Sequence, residues 1–270
     1  MTALLSNDWP RWGVMWALSV VVFAAVKGLT YVRTSTAGVP LTRRLGYLLA
    51  WPGLDAESFF RGRASQPGVG EGLFAVAKTA FGLVVLFGLC RRLAKEPPYL
   101  VGWVGMAGLI FVLHFGTFHL LSWAWRSAGV DAKPLMNWPV ASRSVSEFWG
   151  RRWNTAFRDL THRFLFRPSS ARLGARLALG AGFVFSGLVH DLVISVPAGG
   201  GYGGPTLYFT IQGLGLLAER SRLGKRFGLG GGWRGRLFAA VVLIGPAVLL
   251  FHPPFVVRVV VPFLEVLGAV

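Results

Sequence analysis

The sequence predicts an all-α, polytopic integral membrane protein with about seven to eight membrane segments and one amphipathic helix at the membrane interface. Of the 270 residues, 53% are apolar and only 14% are charged, and the mean hydropathy is +0.54. Soluble domains contain about 25% charged residues. The apolar residues also form runs close to the roughly 20 residues that a helix needs to cross a bilayer. We therefore expect one membrane-embedded domain over residues 1–270, in a multi-pass protein of the cell (inner) membrane.

The apolar runs define the predicted membrane segments in chain order. Trp51-Pro52-Gly53 interrupts the second run, which favours a half-span or an interfacial turn. The fourth run is unusually long for one crossing, so a tilted helix and a broken helix are both open. The last two runs resemble a closing hairpin around Pro253-Pro254. The runs are residues 12–32, 45–60, 73–90, 99–125, 177–196, 205–217, 237–251 and 255–270.

The charged residues are strongly biased towards the basic side. The formal net charge is +17, from 28 Lys and Arg against 11 Asp and Glu. Basic residues concentrate in 126–176 and 220–236, which two predicted spans separate, so both segments are expected on the cytoplasmic side beside anionic lipid. The basic loop at 91–95 lies on the cytoplasmic side as well only if residues 99–125 cross the membrane an even number of times, or enter it and return to the same side. No basic and aromatic patch of a soluble module is present, so we expect no nucleic-acid partner.

Residues 144–168, SVSEFWGRRWNTAFRDLTHRFLFRP, are the most polar segment of the chain. Ser144 and Glu147 form a Ser-x-x-Glu capping box that predicts a helix start, and Pro168 is predicted to end the helix. Helical spacing gives an aromatic stripe, which is typical of a helix lying in the membrane interface. On another face lie Glu147, Arg151, Asn154 and Arg158. Such a face either rests on anionic lipid or holds a phosphate-bearing substrate through arginine contacts.

A second polar signal lies inside the apolar run at residues 182–196. His190 is about 20 Å along that helix, past the midplane of a core roughly 30 Å thick. An ionisable pair at this depth usually faces a cavity or marks a pathway, although one histidine also serves to bond a neighbouring helix. His190 and Asp191 point about 100° apart and are expected to have different partners. Ser186 and Gly187 leave room beside the imidazole.

The sequence contains no predicted metal or disulfide site. Cys90 is the only cysteine, so neither an intramolecular disulfide nor a cysteine-based zinc site is possible. His114 and His119 do not have the i,i+4 spacing of paired metal ligands, and no carboxylate lies at ligand spacing from either. The Gly-rich stretch at 198–205 lacks the strand-to-helix context of a phosphate loop, and it is predicted to be a flexible turn.

The two polar signals together resemble the membrane-bound O-acyltransferases, and within them the wax-synthase-like branch. The run FWGRRWN is the specific part, followed by Phe-Ser-Gly-x-x-His-Asp at 185–191. The resemblance is dense over the core motif region, residues 134–195, and loose elsewhere, although LGYLLAWPGLDAESFF at 45–60 also looks like a segment of this branch. The matching residues are Pro139, Ser144, Ser146, Glu147, Phe148, Trp149, Gly150, Arg151, Arg152, Trp153, Asn154, Pro168, Phe185, Ser186, Gly187, His190 and Asp191.

This resemblance implies a multi-helix fold with a tunnel to the middle of the bilayer. It implies transfer of an acyl group from acyl-CoA, as co-substrate, to a hydroxyl-bearing acceptor, without a further cofactor. A long-chain alcohol, a sterol or a glycan hydroxyl fits as the acceptor, and membrane lipid is the expected surrounding. By the resemblance His190 is the catalytic general base and Asn154 the second catalytic position. The residues predicted to bind substrate are Arg151, Arg152, Trp153, Arg158, Ser186 and Asp191.

Two other classes of function compete with the acyltransferase. A transporter or flippase for an anionic lipid-linked substrate would also use the buried His–Asp pair and the basic loops, but the sequence shows no internal repeat. A structural membrane subunit would explain the spans but not the pairing of Asn154 with His190. Formation of an ester distinguishes the first class from the other two.

Overall fold

The computed structural model describes residues 9–270, except for the side chains of residues 163 and 165. These residues form helices joined by loops, and one isolated β-bridge pairs Arg63 with Val130. The predicted all-α fold is confirmed. The helices are α1 (Arg11–Val32), α2 (Leu41–Leu49), α3 (Ala56–Arg61), α4 (Val69–Cys90), α5 (Pro98–Ser127), α6 (145–152), α7 (155–166), α8 (Arg167–Ala198), α9 (Gly204–Arg220), α10 (Arg222–Arg226), α11 (Gly232–Leu250) and α12 (253–266).

Five helices are long and apolar enough to cross a membrane: α1, α4, α5, α8 and α11. Each corresponds to one predicted segment, so the described chain has the helices of an integral membrane protein. The predicted total of about seven to eight segments is not confirmed. Helix α9 has only 17 residues, and the helices in 45–60 and 255–270 are also shorter than the roughly 20 residues of a full span.

The described chain divides into two compact units. The first, called here the site unit, contains residues 9–19 and 138–263, and the second contains residues 20–137 and 264–270. Compactness alone does not decide whether the units fold separately. One domain over residues 1–270 therefore stays a prediction.

In the second unit, residues 45–60 form two short helices around an irregular turn. Helix α2 has nine residues and α3 has six, as expected for an interrupted segment. The turn is held by Lys27 of α1, whose buried ammonium donates to the carbonyl oxygen of Trp51 at 2.8 Å and to that of Gly53. Because carbonyl groups without partners are costly away from water, this lysine compensates for the irregular backbone.

Helix α5 answers the open question about residues 99–125. It is one continuous helix of 30 residues, which corresponds to about 45 Å at 1.5 Å per residue. A re-entrant path is therefore absent from this part of the described chain. The basic loop before α5 and the loop after it lie at opposite ends of one helix, against the positive-inside expectation for the first loop.

Polar side chains join α4 to α5. His119 contacts Glu71 through Nε2 and Oε1, which are 2.8 Å apart, and Lys78 lies 2.6 Å from the other ring nitrogen. Arg126 pairs with the same carboxylate. His119 thus bonds a neighbouring helix, as an isolated membrane histidine commonly does.

In the site unit, the predicted capping box starts α6. The Ser144 hydroxyl accepts a hydrogen bond from the Glu147 amide at 3.0 Å. The Glu147 carboxylate accepts instead from the Arg143 amide at 2.7 Å, and this bond, more than the pairing with Arg152, holds its pKa below the ordinary value. The prediction of one continuous helix from Ser144 to Pro168 is wrong, because the chain leaves the helix at Trp153 and Asn154.

Pro168 does not end a helix. It lies at the first turn of α8, where a proline has no amide hydrogen to lose. The change of direction comes at Gly174 instead, which has a φ of 76°. This left-handed conformation suits glycine, since it has no Cβ to clash with the backbone.

The core of the site unit joins α6, α8, α9 and α11. Val145, Leu216, Ala239 and Val242 are buried together, and Trp149 and Phe183 pack against them. Trp149 of α6 thus buries part of its aromatic surface between helices, which favours this placement of the segment.

Candidate active site

Two closely packed helices, α8 and α9, carry the half-buried His190 and an aromatic ring that packs on it. A Cβ atom added at Gly187 would lie 2.5 Å from the Cα atom of Thr206, so only glycine permits this approach. The close packing brings the ring of Phe209 on α9 to 4.4 Å, centroid to centroid, from the ring of His190 on α8. Phe209 is buried, which makes it a fixed wall beside the imidazole.

The imidazole of His190 has a defined proton arrangement. Its Nδ1 lies 2.7 Å from the carbonyl oxygen of Ser186, one helical turn earlier. A carbonyl oxygen only accepts hydrogen bonds, so Nδ1 carries the proton in the neutral ring and Nε2 is the basic atom. The predicted difference in partners between His190 and Asp191 is confirmed, because Asp191 bonds Ser195, Gly203 and Thr206.

The break between α6 and α7 places Asn154 at a helix start. Its φ of 41° is left-handed, a conformation that asparagine tolerates better than most residues. Its side-chain oxygen accepts from the Phe157 amide at 3.2 Å and caps α7. With the oxygen used in this way, the amide nitrogen is the donor end of the side chain. Arg158 braces the break by donating to the Gly150 carbonyl oxygen at 2.5 Å.

His190 and Asn154 line one cavity of about 260 Å³ within the site unit. Three of the predicted substrate-binding residues, Trp153, Arg158 and Ser186, line it as well. Most of the other lining is aromatic or aliphatic, and no carboxylate occurs among the described residues that form it. The cavity is therefore a mainly apolar space with two histidines, His162 and His190, an amide and arginines in its wall.

Three predicted substrate-binding residues do not line the cavity: Arg151, Arg152 and Asp191. Arg151 is exposed. Arg152 pairs with Glu147 at 2.6 Å and donates to the Trp138 carbonyl oxygen at 3.2 Å. Asp191 is directed to the start of α9. Arg152 and Asp191 thus make structural contacts, and substrate contact by these three residues stays a prediction.

Sequence reasoning missed Arg220 and Phe209 as cavity residues. Both lie on α9 and are distant in sequence from the two motifs. Arg220 donates through Nε to the Ser146 hydroxyl at 3.0 Å, which ties it to α6. No local pattern marks either residue, although the basic loop that begins at Arg220 was visible as a charge cluster.

No group of three or more His, Cys, Asp and Glu side chains with the geometry of a metal site occurs among residues 9–270 as described. The chemistry that this cavity offers through its described side chains is acid–base catalysis by imidazole and hydrogen bonding by an amide.

The fold and the cavity define a polytopic helical membrane protein with a mainly apolar internal site. Residues 132–211 match the family model described as "Membrane bound O-acyl transferase family". The predicted resemblance to this family is confirmed over that region, which contains Asn154, His190 and Phe209.

Curated relatives from Arabidopsis thaliana carry one kind of name. "Probable long-chain-alcohol O-fatty-acyltransferase 3" is 30% identical over 34% of this chain and 29% of the relative. "Probable long-chain-alcohol O-fatty-acyltransferase 2" is 36% identical over 24% of this chain and 21% of the relative. The matched part of the chain thus spans less than a third of the length of these relatives.

Proposed function

We propose that the protein is a membrane-bound O-acyltransferase that moves a fatty acyl group from acyl-CoA to the hydroxyl of an alcohol, in the manner of a wax synthase. The observation that carries the proposal is His190, with Nδ1 bound to the Ser186 carbonyl, in the wall of the cavity that Asn154 also lines. The family match and the relatives named for long-chain alcohols support it. The proposed location is the cell membrane.

His190 acts as the general base in this proposal. Its Nε2 takes the proton of the acceptor hydroxyl while the oxygen forms a bond to the thioester carbonyl carbon. The tetrahedral intermediate collapses, the carbon–sulfur bond breaks, and the imidazolium returns the proton to the leaving thiolate. The Ser186 carbonyl holds the ring during both transfers because its bond to Nδ1–H persists in either protonation state. Bases of this kind contribute typically about 10²–10⁴-fold to the rate.

Asn154 is proposed to stabilise the oxygen of the tetrahedral intermediate. Its side-chain oxygen caps α7, so the amide nitrogen is the donor end of the side chain. A donor fixed before the reaction costs no reorganisation when the charge develops, and losing one typically costs about 10²–10³-fold in kcat.

The cavity walls fit the two ends of the donor. Trp153, Phe157 and Phe183 form apolar surface for the acyl chain. Arg220 carries positive charge that suits the phosphates of CoA, and Arg158 adds to it although it pairs with Asp159. At about 260 Å³ the cavity is slightly below the roughly 300 Å³ minimum of sites for drug-sized ligands. It therefore holds only part of an acyl-CoA molecule, and the rest of the acyl chain and of CoA would extend beyond these walls.

The test compares membranes that contain the wild type, His190→Ala or the control His119→Gln at matched levels. Each receives labelled acyl-CoA with long-chain alcohols, sterols or sugars, and the lipid extract is analysed for new esters. We expect an alcohol ester from the wild type and the control, and a loss of at least about 10²-fold with His190→Ala. His119 is a suitable control because its contacts lie within the second unit.

Ester formation at the wild-type rate by His190→Ala would contradict the role of His190. Movement of an anionic lipid across the membrane without any ester from the wild type would instead favour the transporter.

A further inference from the structure

The Asp191 carboxylate makes an unusually complete set of hydrogen bonds outside the cavity. One oxygen accepts from the Ser195 hydroxyl at 2.8 Å and from the Gly203 amide at 2.9 Å. The other accepts from the Thr206 amide at 3.0 Å and from the Thr206 hydroxyl. A negative carboxylate at the start of α9 is also favoured by the helix dipole. Asp191 thus joins the end of α8 to the beginning of α9.

The hydrogen bonds continue from Ser195 to His252. The Ser195 hydroxyl lies 3.2 Å from Nε2 of His252, and Nδ1 of His252 accepts from the Phe255 amide at 3.2 Å. Nε2 therefore carries the proton and donates to Ser195, which in turn donates to Asp191. Burial lowers the pKa of His252, which favours this neutral form. We call Asp191, Ser195, Thr206 and His252 the Asp191 cluster.

The direction of these bonds excludes a serine nucleophile. A histidine that activates serine must accept the hydroxyl proton, whereas His252 donates to Ser195. Ser195 is also fully buried and His252 is 6% exposed. The cluster is built to hold backbone segments in place.

The Gly-rich loop at 198–205 is packed against the same cluster, and its flexibility stays a prediction. Gly201 has a φ of 72°, and a Cβ atom at this position would collide with the ring of His252. The carbonyl oxygen of Ala198 accepts from Arg11 at 2.6 Å and from Arg258 at 3.3 Å. The glycines permit close packing, and arginines satisfy the carbonyl groups that this packing leaves outside a helix.

The cluster bears on the site through α9. Thr206 is bonded to Asp191 at the first turn of that helix, and Phe209, three residues later, packs on the imidazole of His190. Asp191 is also the chain neighbour of His190. The cluster consequently fixes the position of the Phe209 wall relative to the histidine.

We propose that Asp191 and His252 are positioning residues, which act through Ser195 and Thr206 to hold α9 and Phe209 against the imidazole of His190. The inference rests on the proposed function of His190. It assigns Asp191 to positioning in place of the substrate binding predicted from sequence. It also brings in His252, a residue from the end of the chain that neither motif contains.

The test measures kcat and KM for the acyl donor and the alcohol with the purified full chain. Thr206→Val removes one hydroxyl from the cluster, and His252→Phe removes both ring nitrogens that form hydrogen bonds. We expect kcat to fall by roughly 10²-fold, as for a small displacement of reacting groups, with KM changed less than about threefold. Thr206→Ser keeps the hydroxyl and should restore kcat to within about threefold of the wild type.

Two controls separate positioning from a general loss of stability. Glu71→Gln removes the charge of a hydrogen-bonded carboxylate in the second unit and should leave kcat unchanged. Ser195→Ala removes one hydroxyl from a small side chain. It replaces His252→Phe as the test variant if His252→Phe does not fold. Unchanged kcat in Thr206→Val and Ser195→Ala, with His190→Ala inactive, would overturn this inference alone. Full activity of His190→Ala would overturn the proposed role of His190, on which this inference rests.

Discussion

The Glu219 carboxylate caps the start of α6, the helix that carries the first motif. It is 5% exposed, and one oxygen accepts from the Val145 amide at 2.7 Å and from the Ser146 amide at 3.2 Å. These are the orphan amides at the start of α6, which need partners outside the helix. The carboxylate therefore ties the motif helix to the end of α9.

We expect Glu219→Gln to lower the free energy of unfolding by about 1–2 kcal/mol, because a buried charge-assisted hydrogen bond is lost. Equilibrium unfolding in mixed detergent micelles measures the change. The control is Glu57→Gln, since the Glu57 side chain is 57% exposed and forms a surface ion pair with Arg61. Its effect should stay below about 0.5 kcal/mol. Equal effects from the two substitutions would show that Glu219 has no special role.

The Ser144 cap was predicted because its partner, Glu147, is close in sequence. For His190 the sequence predicted only room beside the imidazole at Ser186, and not the bond to the Ser186 carbonyl. Arg220 and Phe209 reach the cavity only through the packing of α9, which no pattern around the motifs specifies. Three-dimensional contacts between distant residues account for what sequence reasoning missed at this scale.

Helix α8 meets α9 through a strip where side chains are small. Gly187 lies against the backbone of Thr206, so any larger residue must push the helices apart. Such a displacement would reach both the Asp191 cluster and the Phe209 wall. A change that weakens the packing of α8 on α9 is therefore expected to alter the geometry of the site as well.

Gly187→Ala is expected to destabilise the protein by about 1–3 kcal/mol, as overpacking typically does, and to lower ester formation. Gly180→Ala in the same helix is the matched control because nothing lies within 4 Å of its added methyl group. Alanine there should be neutral or stabilising by up to about 1 kcal/mol, owing to its higher helix propensity. Thermal unfolding and ester formation are measured together. An intact Gly187→Ala variant would show that the helices separate without cost.

The elements around the first motif were harder to predict than the long apolar helices. Regular spacing of aromatic residues through 148–164 indicates one helix, yet the chain breaks at Asn154. Helical periodicity survives a break of one or two residues, so the pattern does not reveal it. The apparent stop signal at Pro168 is ambiguous for a related reason, since proline also suits a helix start.

At the scale of the whole chain, the continuous helix α5 predicts a single crossing of the membrane between residues 98 and 127. Lys95 lies before this helix and Lys133 after it, and both are exposed. A single crossing puts them on opposite sides of the membrane. It also leaves the basic loop at 91–95 on the side that the positive-inside bias disfavours.

Cysteine labelling tests this arrangement in sealed vesicles. Cys90 is buried and is replaced by serine to give a cysteine-free background. An impermeant maleimide added outside should label only one of Lys95→Cys and Lys133→Cys, and the other only after the vesicles are opened. Labelling of both from the same side would contradict the single crossing.

The left-handed backbone at Asn154 restricts how this position can vary. Besides glycine, asparagine, aspartate and histidine tolerate a positive φ best. Aspartate would keep the helix cap but bring a negative charge to the cavity, and glycine would keep the turn but lose both the cap and the amide. Folding and chemistry thus narrow the choice of amino acid independently. In a homologue that has lost its activity, folding would still restrict the amino acid at position 154. Substitutions would therefore accumulate more slowly at position 154 than at position 190.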